Sequence, residues 1–368
     1  MNSAIIYIGF AQALYSSLLF FLKRPLKIAD VILALWLIAI SAMFGLNIYQ
    51  EVNQIIGDSW TFSLPLLLSY PPFLFLYSKY ITTQFDRFRS KDLIHGLPIL
   101  LIVLIITTFG LIRPNDELFE LRSVIGYFFM ASLWGYGILS ILIVIKHKKQ
   151  LKNNYSYSSS RINLTWLMVV IISYIVVFNL TVIVSLMTEY GVIQLDADQV
   201  RNPILLAYVY VIGIWGLRQH QLSSDGITLN SVRDLTLKSS SDRYQKSGLK
   251  PDLAKTYVDK LVNYMNASEA WKDPELSVEK LAMQTQIPRH YITQVLNENL
   301  GKNFYTFVNE YRTAHAKKLI VSPDYQAWSF VGIANECGFN SKTAFNNFFK
   351  KASGMTPSEY KSSQLAAL

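Results

Sequence analysis

Seven stretches before Arg218 contain no Asp, Glu, Lys or Arg: Ile5–Leu22, Val31–Tyr49, Trp60–Ser78, Leu93–Ile112, Ser123–Ile145, Ile162–Thr188 and Asn202–Leu217. In hydrocarbon, a single segment can satisfy its backbone N–H and C=O groups internally only as an α-helix. Most of the stretches reach across the ~30 Å of a bilayer core at ~1.5 Å per residue. The last is the shortest, and Val200 and its neighbours extend it. Overall composition agrees: 51% of residues are hydrophobic and only 16% charged, where a soluble domain carries about 25% charged residues. The expected first domain is therefore a seven-span helical bundle over residues 1–218. Its first stretch reads as a span and not as a cleaved leader. No basic region precedes Ile5, no small-residue cleavage pattern follows Leu22, and Lys23-Arg24 comes directly after it.

The connections between stretches alternate in charge. Odd-numbered ones hold Lys23, Arg24, Lys27, then Lys79, Arg87, Arg89, Lys91, then Lys146, Lys148, Lys149, Lys152, Arg161, and Arg218 follows the last span. Even-numbered ones hold only Arg113, Arg122 and Arg201, along with Glu51, Asp58, Asp116, Glu117, Glu120, Glu189, Asp196 and Asp198. Short basic loops stay cytoplasmic. Thirteen basic residues against three thus put the N-terminus outside and residues 218–368 in the cytoplasm of a multi-pass chain. The outer loops are too short for an extracellular binding domain. A stimulus must act within the bundle, on the lipid bilayer or through a membrane partner. No span carries a charge, so the usual mark of an ion or proton path is missing. Tyr70-Pro71-Pro72 is expected to interrupt the third span and free carbonyls toward a cavity. With Asn179, these residues are the candidates for intramembrane sensing. Gln12 and His95 are further polar groups near hydrocarbon depth, and all of these polar groups also suit simple packing between helices.

Residues 219–250 are polar and serine-rich, with Ser223-Ser224 and Ser239-Ser240-Ser241, and read as a flexible tether. As a coil, about 32 residues span roughly 30 Å. Residues 251–368 read as an all-α domain. Pro251 opens a helix whose apolar stripe is Leu253, Tyr257, Leu261 and Met265. Two segments then share one pattern. Leu281-Ala282 precedes Ile287 and the triplet Ile292, Val295, Leu296, and Ile333-Ala334 precedes Phe339 and the triplet Phe345, Phe348, Phe349. Each triplet marks one buried helix face. The alanines, 52 residues apart, permit close helix contact, and Ile287 and Phe339 mark turns. Each copy reads as helix–turn–helix, at about 276–300 and 328–353, with a linking helix at about 304–320 between them. Ser277 and Ser329 are the expected N-caps.

The second copy, with Gly338-Phe339, Phe345, Phe349-Lys350-Lys351, Gly354 and Thr356-Pro357-Ser358-Glu359-Tyr360, resembles the AraC/XylS type of DNA-binding domain. The linking helix is similar too, through Tyr311-Arg312 and Ala316. The first copy departs from the pattern at Pro288 and Gln286, where a serine cap and a turn glycine are usual. The resemblance covers roughly residues 260–362. It implies two recognition helices in successive major grooves of double-stranded DNA, with contact to RNA polymerase, possible homodimers and transcription activation. The polar face of the first recognition helix carries Arg289, His290, Tyr291, Thr293, Gln294 and Asn297. That of the second carries Ser341, Lys342, Thr343, Asn346, Asn347 and Lys350. Asn and Gln pair bidentately with adenine, and Lys or Arg with guanine or phosphate. An ordinary solvated helix face has the same composition. Between 289 and 351 there are eight basic and four acidic residues, a modest positive footprint.

Enzyme chemistry finds no purchase. The single cysteine, Cys337, sits beside a turn, and His95, His147, His220, His290 and His315 show no ligand spacing. No catalytic residue, metal site or cofactor is expected. With the resemblance, the expectation is a membrane-bound one-component transcription regulator, multi-pass in the bacterial inner membrane with its C-terminal domain in the cytoplasm. Its alternative is a transporter or receptor whose cytoplasmic tail is a protein-interaction module.

Overall fold

The computed structural model describes residues 2–54, 60–83, 87–112, 118–157, 164–193, 197–219 and 249–366. Its regular elements are helical, apart from one isolated antiparallel bridge between Tyr155 and Ser277. The chain divides into two compact units: residues 1–146 with 164–222, and residues 147–163 with 223–368. Nearly all of the expected tether lies outside the described residues.

The first unit contains α1 (Asn2–Leu22), α2 (Ile28–Val52), α3 (Trp60–Thr82), α4 (Leu97–Ile112), most of α5 (Leu118–Asn154), α6 (Thr165–Glu189) and α7 (Ala197–Arg218). These helices are apolar on all sides, as membrane-buried helices are. α1 packs on α2 and α7, and α2 packs on α3. Close approach is built in at Gly9, where a Cβ would fall 2.5 Å from the Phe44 ring. Buried polar groups pair between helices: Asn47 Nδ2 donates to Asn202 Oδ1 at 3.0 Å, and Ser41 Oγ donates to the Phe10 carbonyl at 3.1 Å. Outward faces remain apolar, with Leu100, Leu104, Val124, Val169 and Val176 all exposed. Five described helices, α1, α2, α5, α6 and α7, are long and apolar enough to cross a membrane. Of the seven expected spans, α3 and α4 are the two outside that group. α4 has 16 residues, and α3 mixes three prolines with serine, threonine and tyrosine.

The expected interruption at Tyr70-Pro71-Pro72 does not occur, since α3 runs unbroken from Trp60 to Thr82 with Pro65, Pro71 and Pro72 inside it. Serine hydroxyls add donors along this helix, Ser69 Oγ to the Leu66 carbonyl at 2.5 Å and Ser78 Oγ to Leu74 at 2.8 Å. The three prolines remove only the backbone donors that would reach the Thr61, Leu67 and Leu68 carbonyls, and the helix continues through them.

In the second unit, α8 (Pro251–Ser268) is followed by a 3₁₀ turn (Ala270–Lys272), α9 (Val278–Thr285), α10 (Arg289–Glu298) and α11 (Phe304–Val321). A second 3₁₀ turn (Pro323–Tyr325) leads to α12 (Phe330–Glu336), α13 (Lys342–Ser353) and α14 (Pro357–Leu365). Two apolar cores share α11. Its first half gives Phe304, Phe307 and Val308 to a core with Leu261, Leu281, Ile292 and Leu296. Its second half gives Ala316, Leu319 and Ile320 to a core with Ile333, Phe339, Phe345 and Phe349. One rigid helix thus carries both copies of the repeated motif.

Candidate nucleic-acid interface

The first copy is α9–turn–α10. Ser277 Oγ caps α9, accepting from the Lys280 N–H at 3.2 Å. The helix ends at Gln286, which takes the left-handed conformation at φ 54° in place of the usual glycine. Ile287 is buried beneath the turn. Pro288 then stands just before α10, where a missing N–H costs no helical bond. The second copy is α12–turn–α13. Ser329 Oγ accepts from the Gly332 N–H at 3.1 Å, and Ser341 Oγ from the Ala344 N–H at 3.4 Å. Gly338 makes the turn at φ 79°, and a Cβ there would lie 2.5 Å from the Lys272 carbonyl oxygen and 2.7 Å from that of Trp271. Glycine is required twice over, for its backbone angle and for lack of room.

Burial sorts the expected DNA-contacting residues. On α13, Lys342, Thr343, Asn347 and Lys350 are exposed, Asn346 is half-buried, and Ser341 is spent on the cap. The core side of α13 consists of Phe345 and Phe349, with Phe348 edge-on to Tyr305 at 5.1 Å. On α10 only His290 is fully exposed among the candidates. Tyr291 leans on Tyr257 of α8, and Asn297 Nδ2 donates to the Thr293 carbonyl at 2.8 Å. Gln294, expected on the solvated face, is only 5% exposed and donates to Glu298 Oε2 at 2.9 Å. Arg289 Nη2 donates to Asn154 Oδ1 at 2.8 Å, with Glu279 3.8 Å from its other terminal nitrogen. Burial lowers the Arg289 pKa, against the opposing charge of Glu279.

Three residues that were given no site role from sequence, Arg312, Asn309 and Ser156, bond to one another beside α11. Arg312 of α11 is 1% exposed and makes five hydrogen bonds. It donates to the carbonyls of Trp271 (2.7 Å), Asp273 (2.6 Å) and Ser156 (3.2 Å), to Asn309 Oδ1 (3.3 Å) and to Ser156 Oγ (3.1 Å). Its guanidinium also lies 5.8 Å from the Phe339 ring of the second turn. Burial pulls its pKa down to about 10, with the Asp273 charge opposing, so it stays protonated at neutral pH. Ser156 and Asn309 complete the trio. Only Arg312 had a sequence signal, through the Tyr311-Arg312 pair, and that pair suggested family likeness and not a buried hub. Cys337 is buried, which pushes its thiol up to about 12.

The candidate sensing residues are held within the first unit. Tyr70 is buried, its hydroxyl 3.4 Å from the Ala39 carbonyl. Asn179 Nδ2 donates to Ile175 of its own helix at 2.7 Å. Gln12 Nε2 lies 3.4 Å from Ser16 Oγ, and His95 Nδ1 lies 2.9 Å from the Tyr136 hydroxyl. Among the described residues no group of His, Cys, Asp or Glu is placed to hold a metal ion.

Two helix–turn–helix motifs on one linking helix define a class of domain, and comparison with known proteins agrees. Residues 281–363 match the family described as a helix-turn-helix domain. Over 119 residues the chain is 26% identical to the HTH-type transcriptional activator RhaR of Escherichia coli, and equally to that of Shigella flexneri. The match covers 32% of this chain and 40% of theirs, so the chain spans about two fifths of the length of these relatives. No solved structure matches the chain. The likeness supports the AraC/XylS resemblance for the C-terminal part alone.

Proposed function

We propose that this chain is a membrane-bound one-component transcription regulator that reads promoter DNA through its two helix–turn–helix motifs and acts as an activator. The observation that carries this reading is the pair of motifs fixed to α11, with Lys342, Thr343, Asn347 and Lys350 exposed on one helix and His290 on the other. Rigid mounting on a common helix suits insertion into successive major grooves roughly one helical turn, ~34 Å, apart. The exposed lysines suit phosphate or guanine, and Asn347 suits adenine. Seven spans with the N-terminus outside form the sensor or anchor, and the charge alternation of the loops supports that topology. RNA polymerase and a second copy of the chain are the expected protein partners. The similarity to a transcriptional activator over 119 residues supports the activator sense.

The reading is tested by crosslinking the tagged, intact protein to DNA in cells and sequencing what is recovered. Recovery of a few upstream regions sharing one motif is the expected outcome. Recovery of protein partners with no enriched DNA overturns the reading and favours a protein-interaction tail.

A further inference from the structure

The residues that follow the long apolar run of α5 belong to the helix–turn–helix unit and not to the bundle. Asn154 is the last residue of that helix, and of the three residues after it Ser156 is buried while Tyr155 and Tyr157 are half-buried. Tyr155 pairs with Ser277 in the antiparallel bridge, beside the cap of α9. Ser156 is 1% exposed. Its N–H and its hydroxyl both donate to the Leu276 carbonyl, at 3.1 and 2.7 Å. Its carbonyl accepts from Asn309 Nδ2 at 3.0 Å and from Arg312, and its Oγ accepts from Arg312 again. One serine from a loop between two membrane helices therefore supplies two of the five acceptors around a buried guanidinium. It reaches that guanidinium across 156 residues of sequence.

We propose that residues Asn154–Tyr157 are a strap that completes the first helix–turn–helix unit, and that the docked strap is the DNA-competent state. The end of α5 thereby sets whether the domain can bind DNA. The proposal rests on the DNA-binding reading above and names the regulation of that site. Arg312 cannot lose its charge at neutral pH, so withdrawing Ser156 would leave a buried cation short of acceptors. The cost would fall on both copies, because Arg312 touches the Trp271 and Asp273 carbonyls beside the first and the Phe339 ring of the second. The strap also holds Arg289, the first residue of α10, through Asn154. It leaves the exposed side chains of α13 uncovered, as a supporting role requires and a blocking role does not. Because the strap continues α5 without a break in the chain, a shift of that helix would be transmitted through the backbone itself.

The test uses the full chain in phospholipid nanodiscs and a DNA duplex from its own upstream region. Asn154→Ala removes the bond to Arg289 and leaves the core untouched. Ser156→Ala removes one acceptor from Arg312. Losses of DNA affinity of about threefold and about tenfold are expected, in that order. Antiparallel bridge partners have Cα atoms roughly 4.5–5.5 Å apart, within the range of a disulfide. Tyr155→Cys with Ser277→Cys, on a Cys337→Ala background, should therefore crosslink under mild oxidation and keep the affinity of its reduced form. If both strap variants bind like the parent, the strap does not govern DNA binding. If the paired cysteines stay apart while both react with a maleimide, it does not dock. A parent chain that shows no preference for any DNA overturns the function and the regulatory half of this proposal together. The crosslink decides docking in either case.

Discussion

Two residues with the same structural duty respond oppositely to substitution. Gln286 and Gly338 each make the left-handed turn of one copy, at φ 54° and 79°. Gln286 is exposed, so Gln286→Gly relieves a backbone penalty of ~1 kcal/mol and should raise the melting temperature of the purified chain. Gly338→Ala adds a Cβ against the Lys272 and Trp271 carbonyls and should cost roughly 1–3 kcal/mol, read as a lower melting temperature. His315 offers a pH test. Burial lowers its pKa below the ordinary 6.5, with Lys272 adding in the same direction, and its ring lies 4.8 Å from that of Trp271. Below pH 6.5 the unfolded chain therefore binds more protons than the folded one, and stability falls as pH drops through that window. His315→Gln should flatten the dependence of melting temperature on pH between 6.5 and 5. Ser277, Ser329, Gly338 and the phenylalanines of the second core were legible because each satisfies a local rule of caps, turns or helical period. Ser156 was not. Nothing local distinguishes a serine in a basic loop from one that reaches a buried arginine, and its role exists only once α11 is folded.

At the scale of elements, α13 was read almost face by face and α10 was not. A single core packs beneath α13, so the i, i+3, i+4 triplet divides inside from outside cleanly. α10 packs against α8 as well as against α9 and α11, so a second side of the helix is covered. That is why Tyr291, against Tyr257 of α8, leaves the solvated face. Sequence periodicity reports one buried stripe and is blind to a helix contributed from elsewhere in the chain. DNA recognition should accordingly lean on α13. Asn347→Ala should weaken binding to the target by ~1–3 kcal/mol and relax selectivity at one base pair. Lys342→Ala should weaken binding to all sequences alike and lower the slope of log affinity against log salt by about one. Competition assays over a panel of single-base variants separate these outcomes. Phe345→Ala removes a fully buried ring from the second core and should destabilise by ~3–5 kcal/mol.

For the whole molecule, charge and hydropathy set an apolar N-terminal stretch apart from a more polar C-terminal one, and the repeated motif marks the latter as helix–turn–helix. The number of crossings is the weaker inference, because α3 and α4 fall short of the length and apolarity shared by the other five helices. Loop charge still favours seven. A periplasm-active reporter should be silent when fused after Arg218 and active when fused after Glu120. The composition of the second unit was not readable, since a loop between α5 and α6 lies 120 residues from the cap region it pairs with. A regulator held in a membrane must still select its DNA sequence. The most direct measurement is the affinity of the full chain in nanodiscs for its own upstream duplex and for a scrambled duplex, at several salt concentrations. A preference of about a thousandfold or more, persisting while both affinities fall with salt, is the predicted result. Equal affinity for the two duplexes at every salt concentration would contradict it.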